Sequence, residues 1–238
     1  MNKGALLLKR KNGPMRRLRK ASTPLMSGDW IEFHYDEELL SLVPPDAACV
    51  ADEGEYSVWF KPAGLLSQGT KYGDHCSLVR RAELFFRPSR NIFAVHRLDR
   101  EVSGLMLLAH TREAAAKLSE LLRQNLIIKK YRVEVLGHIG EKGQRGSIDL
   151  PLDGKPSFTT FRVLAHDTRN GISSLEVTIS TGRLHQIRRH FSMIGFPVMG
   201  DPTYGRGNKN RDGMKLRAVS LKFRCPFRGS EKEFSLPE

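Results

Sequence analysis

The stretch AVHRLDREVSGLMLLA, residues 94–109, constrains this chain more than any other. Residues 92–96 and 104–109 read as strands, with a turn or bend around Ser103 and Gly104. Between them, His96, Arg97, Asp99, Arg100 and Glu101 fill five of six consecutive positions. Charged groups are costly to bury unless they are paired or hydrogen-bonded. The cluster therefore belongs where core meets surface, either as a salt-bridged corner or as a site.

The rest of the chain extends the β reading. Residues 55–62, 130–136 and 159–164 read as strands. Over residues 172–180, Leu175, Val177 and Ile179 alternate with Glu176 and Thr178. Near the end, Val219, Leu221 and Phe223 alternate with Ser220, Lys222 and Arg224. Such alternation fits half-buried, largely antiparallel strands. Two helices interrupt them. One is capped by Thr111 and runs to about residue 125, with Glu113 in its first turn and Ala114, Leu118, Leu121 and Leu122 on its apolar face. The other spans residues 184–194. Leu184, Ile187, Phe191 and Ile194 would face the core, while His185, Arg188, Arg189 and Ser192 share another face. That second face fits ordinary solvation, and it equally fits arginine pairing with phosphate or carboxylate. The expected class is α+β: a mixed, largely antiparallel central sheet with flanking helices.

Charge narrows the partners. The 238 residues carry a formal net charge of +13, which favours a polyanion through phosphate attraction and counterion release. The first twenty residues hold eight Lys or Arg and no acid. Lys9, Arg10, Lys11, Arg16, Arg17, Arg19 and Lys20 are the candidate polyanion contacts there. Residues 1–36 read as a small basic unit, 37–54 as an acidic and Pro-containing linker, and 55–238 as the main domain. No apolar stretch approaches a membrane span of roughly 18 residues, and Cys49, Cys76 and Cys225 form no framework or metal-spaced set. A cytoplasmic, reducing setting is expected, with no membrane association.

Motif chemistry removes further classes. No dinucleotide or P-loop glycine pattern is present, nor a metalloprotease helix or hydrolase elbow. No nucleotide cofactor and no metal are expected. What remains is a carboxylate among arginines, a tyrosine in a basic strand and a basic helix. An aspartate can act as nucleophile or general base without a cofactor, and Asp99 fits that role or a structural salt bridge.

Four ordered segments together resemble the RluA-type family of RNA pseudouridine synthases. HRLD followed by SG at 96–104 resembles the catalytic signature, and KKYRVEV at 129–135 the tyrosine motif. GRLHQIRRHFSMIGFPVMGDPTYG at 182–205 resembles the long C-terminal motif, and KPAG at 61–64 the opening motif. The resemblance implies isomerisation of uridine to pseudouridine in structured RNA, rRNA or tRNA, without a cofactor. It implies Asp99 as the essential aspartate, Tyr131 as the active-site tyrosine and Arg188 as the basic residue paired with the aspartate. Arg97 would help hold the target nucleotide flipped, and Ile187 would line the base pocket. His96, His185 and Arg189 are the further candidate substrate contacts. Val102 departs from the family pattern, which usually has Thr there. Residues 12–35 resemble the later part of an S4-like RNA-binding module, so a reduced S4-like unit is expected at the N-terminus. A monomer is expected. The competing reading is an RNA-binding or assembly protein that kept the fold without catalysis. A general polyanion-binding protein needs only the charge and leaves the motifs unexplained.

Overall fold

A computed structural model describes residues 3–205 and 212–237. In chain order its elements are β1 (Leu6–Lys9), β2 (Arg16–Arg17), β3 (Trp30–Phe33), α1 (Glu37–Ser41), β4 (Ala48–Asp52), β5 (Tyr56–Lys61), α2 (Leu78–Phe85), β6 (Phe93–Ala94), β7 (Ser103–Ala109), α3 (Arg112–Arg123), β8 (Ile128–Leu136), β9 (Arg145–Asp149), β10 (Phe158–Asp167), β11 (Ile172–Ile179), α4 (Gln186–Met193), β12 (Leu216–Arg224) and β13 (Glu231–Ser235). Strands β2-β1-β3 form a small antiparallel sheet. The other ten form one sheet in the order β4-β5-β7-β12-β8-β11-β10-β9, with β13 on β12 and β6 on β7. Its pairings are antiparallel except β7 with β12, which run parallel. The mixed α+β class, with a small N-terminal β unit, is the observed one.

Strand β7 explains the apolar run. Met106 and Leu108 enter one core cluster, with Trp59, Val133 and Phe191. Leu105, Leu107 and Ala109 enter the other, with Ala114 and Leu118 of α3. Both faces are covered, so period-two alternation disappears into a continuous apolar stretch. Helix α3 begins as expected: the Thr111 hydroxyl accepts from Ala114 N–H at 3.1 Å.

The parallel junction is short, matching only Ser103 with Arg217 and Gly104 with Ala218. Gly104 makes it possible, because its φ is +127° and a Cβ there would overlap the Ala218 backbone. The glycine of the SG pair thus serves close strand approach.

Several expectations change. Residues 37–54 hold α1 and β4 where a linker was expected, and β4 pairs with β5 at the edge of the large sheet. The strand expected at 92–96 ladders only over Phe93–Ala94. In β12 the register shifts between Ala218 and Ser220, so Ala218 and Ser220 are buried and Val219 only half-buried. Helix α4 starts at Gln186, and Leu184 before it is exposed. Of the polar loop expected at 206–215, residues 206–211 lie outside the described residues. No helix among the described residues is long and apolar enough to cross a membrane.

Candidate active site

Asp99 lies in the loop between β6 and β7, and the loop backbone is fastened on both sides of it. Ser67 Oγ accepts from Leu98 N–H at 2.9 Å and donates to Leu98 O at 2.6 Å. The Arg100 carbonyl accepts from Gly64 N–H at 2.7 Å and from Lys61 Nζ at 3.3 Å. Lys61 is fully buried and also donates to the carbonyls of Leu65 at 2.7 Å and Pro62 at 3.1 Å. Burial pulls its pKa down to about 8, partly offset by the charges of Glu101 and Asp99. The KPAG segment therefore supports the aspartate loop from below. Val102 is 3% exposed within the core, where its methyl groups pack; its N–H donates to Asp99 O at 3.2 Å.

The Asp99 carboxylate meets Arg188 at 2.8 Å, Oδ2 accepting from Nη1. Arg188 is 3% exposed. Its other edge donates to Asp201 through Nε at 2.7 Å and Nη2 at 2.8 Å, and Nη2 also reaches Thr203 Oγ1 at 3.1 Å. Asp201 accepts two further bonds, from Thr203 N–H at 2.8 Å and Tyr204 N–H at 3.0 Å. Burial opposes charge on both partners. The hydrogen bonds between them overcome it, holding the Asp201 carboxyl below and the Arg188 guanidinium above its ordinary pKa. A bidentate arginine–carboxylate pair fixes geometry as well as charge. Asp201 thus aims one face of Arg188 at Asp99. Asp201 lies within the motif at 182–205, whose sequence alone assigns it no role. The usable signal was physical, since an arginine on a helix face that is to be buried needs more than one acceptor.

Tyr131 on β8 is 7% exposed and belongs to the core cluster beside the cleft. Burial, and then the charge of Asp99, push its phenol pKa well above the ordinary value. Ile187 is 5% exposed and is both core and cleft wall. His185 is not a helical residue as expected. It caps α4 in a left-handed conformation (φ +53°), with Nε2 3.6 Å from Asp99 Oδ2 and Nδ1 3.1 Å from the Tyr204 hydroxyl. Together with Arg97, Lys129 and Arg183 these residues line a cleft of about 610 Å³. Arg97 is exposed and has no hydrogen-bond or ion-pair partner among the described residues. Lys129, which the sequence alone does not single out, is half-buried, and burial lowers its pKa. A larger cavity of about 880 Å³ runs along Lys130, Arg132 and Glu134. These residues alternate along β8 with Tyr131, Val133 and Val135, so this cavity lies across the sheet from the cluster at Asp99.

Two expected substrate contacts hold internal partners, and of these His96 also lines the cleft. His96 Nε2 accepts from Leu107 N–H at 3.0 Å. That donor lies on the β7 edge between the short pairings to β12 and β6, so His96 completes the ladder with its side chain. Burial and the charge of Lys129 push its pKa down to about 3, keeping it the neutral acceptor this bond needs. Arg189 is outside the cleft lining and pairs bidentately with Asp153 at 2.8 and 2.9 Å. At the N-terminus, Arg17 and Arg19 pair with Asp74, anchoring the small sheet to the main domain. Arg10 pairs with Asp29 at 2.8 Å. Lys9, Lys11, Arg16 and Lys20 are exposed. Among the described residues no group of three His, Cys, Asp or Glu side chains is placed to hold a metal ion.

A fastened aspartate facing a buried arginine, beside a neutral phenol and an apolar wall, can receive a planar base and act on the atom attached to it. Residues 55–193 match the family model described as RNA pseudouridylate synthase. The chain belongs to that family, a class of RNA-isomerising enzymes. A Chloroflexus aurantiacus protein described as an uncharacterized RNA pseudouridine synthase is 33% identical over 198 residues, covering 74% of this chain and 61% of that relative's length. The dual-specificity RNA pseudouridine synthase RluA of Vibrio vulnificus is 34% identical over 187 residues, 70% of this chain and 73% of its own. In fold, the chain is similar to human RNA pseudouridylate synthase domain containing 1, with a TM-score of 0.69 at 24% identity over 83% of this chain and 86% of that one.

Proposed function

We propose that the chain is an RluA-type synthase that converts uridine to pseudouridine within structured rRNA or tRNA, with Asp99 as its catalytic carboxylate and no cofactor. The observation that carries this reading is the Asp99–Arg188–Asp201 chain, in which a buried arginine presents a fixed carboxylate to a cleft walled by Tyr131 and Ile187.

The chemistry balances within the substrate. The N1–C1′ bond breaks, uracil turns, and C5 bonds to C1′. A proton leaves C5 and one returns to N1, so no oxidant or reductant is consumed. Asp99 engages the ribose at its C1′–C2′ edge, and Arg188 holds the carboxylate's direction throughout. Tyr131, kept protonated at neutral pH, is a poor base. It packs against the uracil and offers a donor while the ring turns. The target nucleotide has to leave its stack to reach Asp99, at a cost of a few kcal/mol. Arg97, at the cleft and without an internal partner, is placed to offset that cost by filling the vacated position or pairing with phosphate.

Site-resolved pseudouridine mapping of cellular RNA tests this, with the gene present, deleted, and replaced by its Asp99→Asn form. The expected result is a site lost in both altered strains, which also names the RNA. A site lost on deletion and retained with Asp99→Asn would remove Asp99 from the chemistry. No lost site would favour the assembly-protein reading.

A further inference from the structure

The N-terminal unit carries a surface that the chemistry at Asp99 does not use. The chain has two tryptophans. Trp59 is 1% exposed, whereas Trp30 is 62% exposed. A tryptophan this open on a monomer surface is uncommon, and its neighbours are cationic. Lys9 is the cross-strand partner of Trp30 in the β1–β3 ladder, so the two side chains stand on the same face. Lys11, Arg10 and Met15 close a concavity of about 390 Å³ around the indole.

The platform is held rigidly. Arg10 donates to Asp29 Oδ2 at 2.8 Å and to Pro24 O at 3.0 Å. Asp29 Oδ2 also accepts from Met26 N–H at 2.9 Å, and Asp29 N–H closes the turn on Met26 O at 3.0 Å. The turn that delivers Trp30 into β3 is thereby locked. The acid on this face, Glu32, is 3.1 Å from His34. Lys9 and Lys11 have no ion-pair partner among the described residues.

We propose that Trp30 is a base-stacking platform for single-stranded RNA, with Lys9 and Lys11 holding the flanking phosphates. The inference rests on RNA being the substrate at the Asp99 cleft, and it adds a second contact point away from that cleft. An aromatic ring between cations is how single strands are held without sequence preference. A protein partner is the poorer fit, because lysine is depleted from protein–protein interface cores. Base stacking on an exposed ring, by contrast, leaves both amines free for phosphate.

The test uses the full chain carrying Asp99→Asn and an oligouridylate of about twelve nucleotides. Trp30 emission is expected to quench on binding, while buried Trp59 stays silent. Trp30→Ala should weaken binding roughly tenfold, and Trp30→Phe, which keeps an aromatic face, only about threefold. Lys9→Gln with Lys11→Gln should lower the slope of log affinity against log salt by about 1.4. Unquenched emission during binding, or Trp30→Phe binding as weakly as Trp30→Ala, overturns the platform. Normal RNA binding by Trp30→Ala overturns it as well and points to a protein partner. If the wild type modifies cellular RNA but does not bind the oligonucleotide, the platform alone fails. If it binds with quenching but modifies nothing, the catalytic reading alone fails.

Discussion

In the three-stranded N-terminal unit Lys9, Lys11, Arg16 and Lys20 reach solvent, and Ala5, Leu8 and Leu18 are its buried apolar side chains. In the main domain the cation Arg188, on α4, is 3% exposed between two carboxylates, beside the core residues Ile187 and Phe191. The first arrangement acts through the number of charges and tolerates displacement. The second is built for direction: in the proposed chemistry, a carboxylate that must meet one ribose atom loses its use if it shifts by an ångström. Burial supplies that direction, at the cost of dehydrating a charge that then needs every partner it has.

The largest expected effect tests the buried side of the contrast. Asp99→Asn should lower kcat by at least about 10³-fold, while the thermal midpoint falls far less than in Asp201→Ala, because the asparagine Oδ1 can still accept from Arg188; single-turnover assays and calorimetry would show both. Turnover at the wild-type rate would break the comparison outright. Asp201→Ala should cost about 3–5 kcal/mol in denaturant titrations, because it strips a buried guanidinium of its bidentate partner. A loss below about 1 kcal/mol would mean that solvent reaches Arg188. The Asp201 carboxyl is held below its ordinary pKa. Its contribution is present above the unfolded carboxylate pKa and is lost as pH falls through the folded one.

His96 sharpens the comparison further. His96→Ala should cost about 1–3 kcal/mol by leaving the Leu107 N–H without an acceptor. With its folded pKa near 3, below the ordinary 6.5, neutral His96 stabilises in full above 6.5. That stability fades as pH falls from 6.5 toward 3. His96→Gln should therefore flatten the acid limb of a midpoint-against-pH curve, and an unchanged limb would show that the ring is protonated in place. On the exposed side, Arg16→Gln with Lys20→Gln should reduce the salt slope of RNA binding by about 1.4; an unchanged slope would put the strand elsewhere. The smallest effect belongs to Arg189→Ala, within about 0.5 kcal/mol of wild type in denaturant titrations, since its partner Asp153 is itself exposed. A drop comparable to that of Asp201→Ala would show that exposure does not separate the two arginines.

Many of the strands were legible because alternation, as at Leu175, Val177 and Ile179, reports one buried face directly; their order in the sheet was not. Helix α3 was legible from its Thr111 cap. Helix α4 was only half legible. Ile187 and Phe191 do face the core, but Leu184 is exposed, and Arg188, expected on a polar face, is buried. Helical spacing tells which residues share a side and is silent on whether a carboxylate waits opposite. Strands β4 and β13 are not legible in the sequence, because their half-buried and exposed positions alternate without a matching change of residue type: Val50 is exposed in β4 and Lys232 half-buried in β13.

The residues by themselves determined the class of fold, through local periodicity that reads the same in any context. The ordered motifs carried a family resemblance, and it was that resemblance which implied the gathering of Asp99, Tyr131 and Arg188. Only the tertiary structure decided that Asp201 orients Arg188, that Lys61 and Ser67 fasten the aspartate loop, and that His96 braces a strand. It also decided that Arg189, one residue from Arg188, pairs with Asp153 away from the cleft. Those assignments depend on which groups distant parts of the chain bring within about 3 Å, and on how much water remains there to compete.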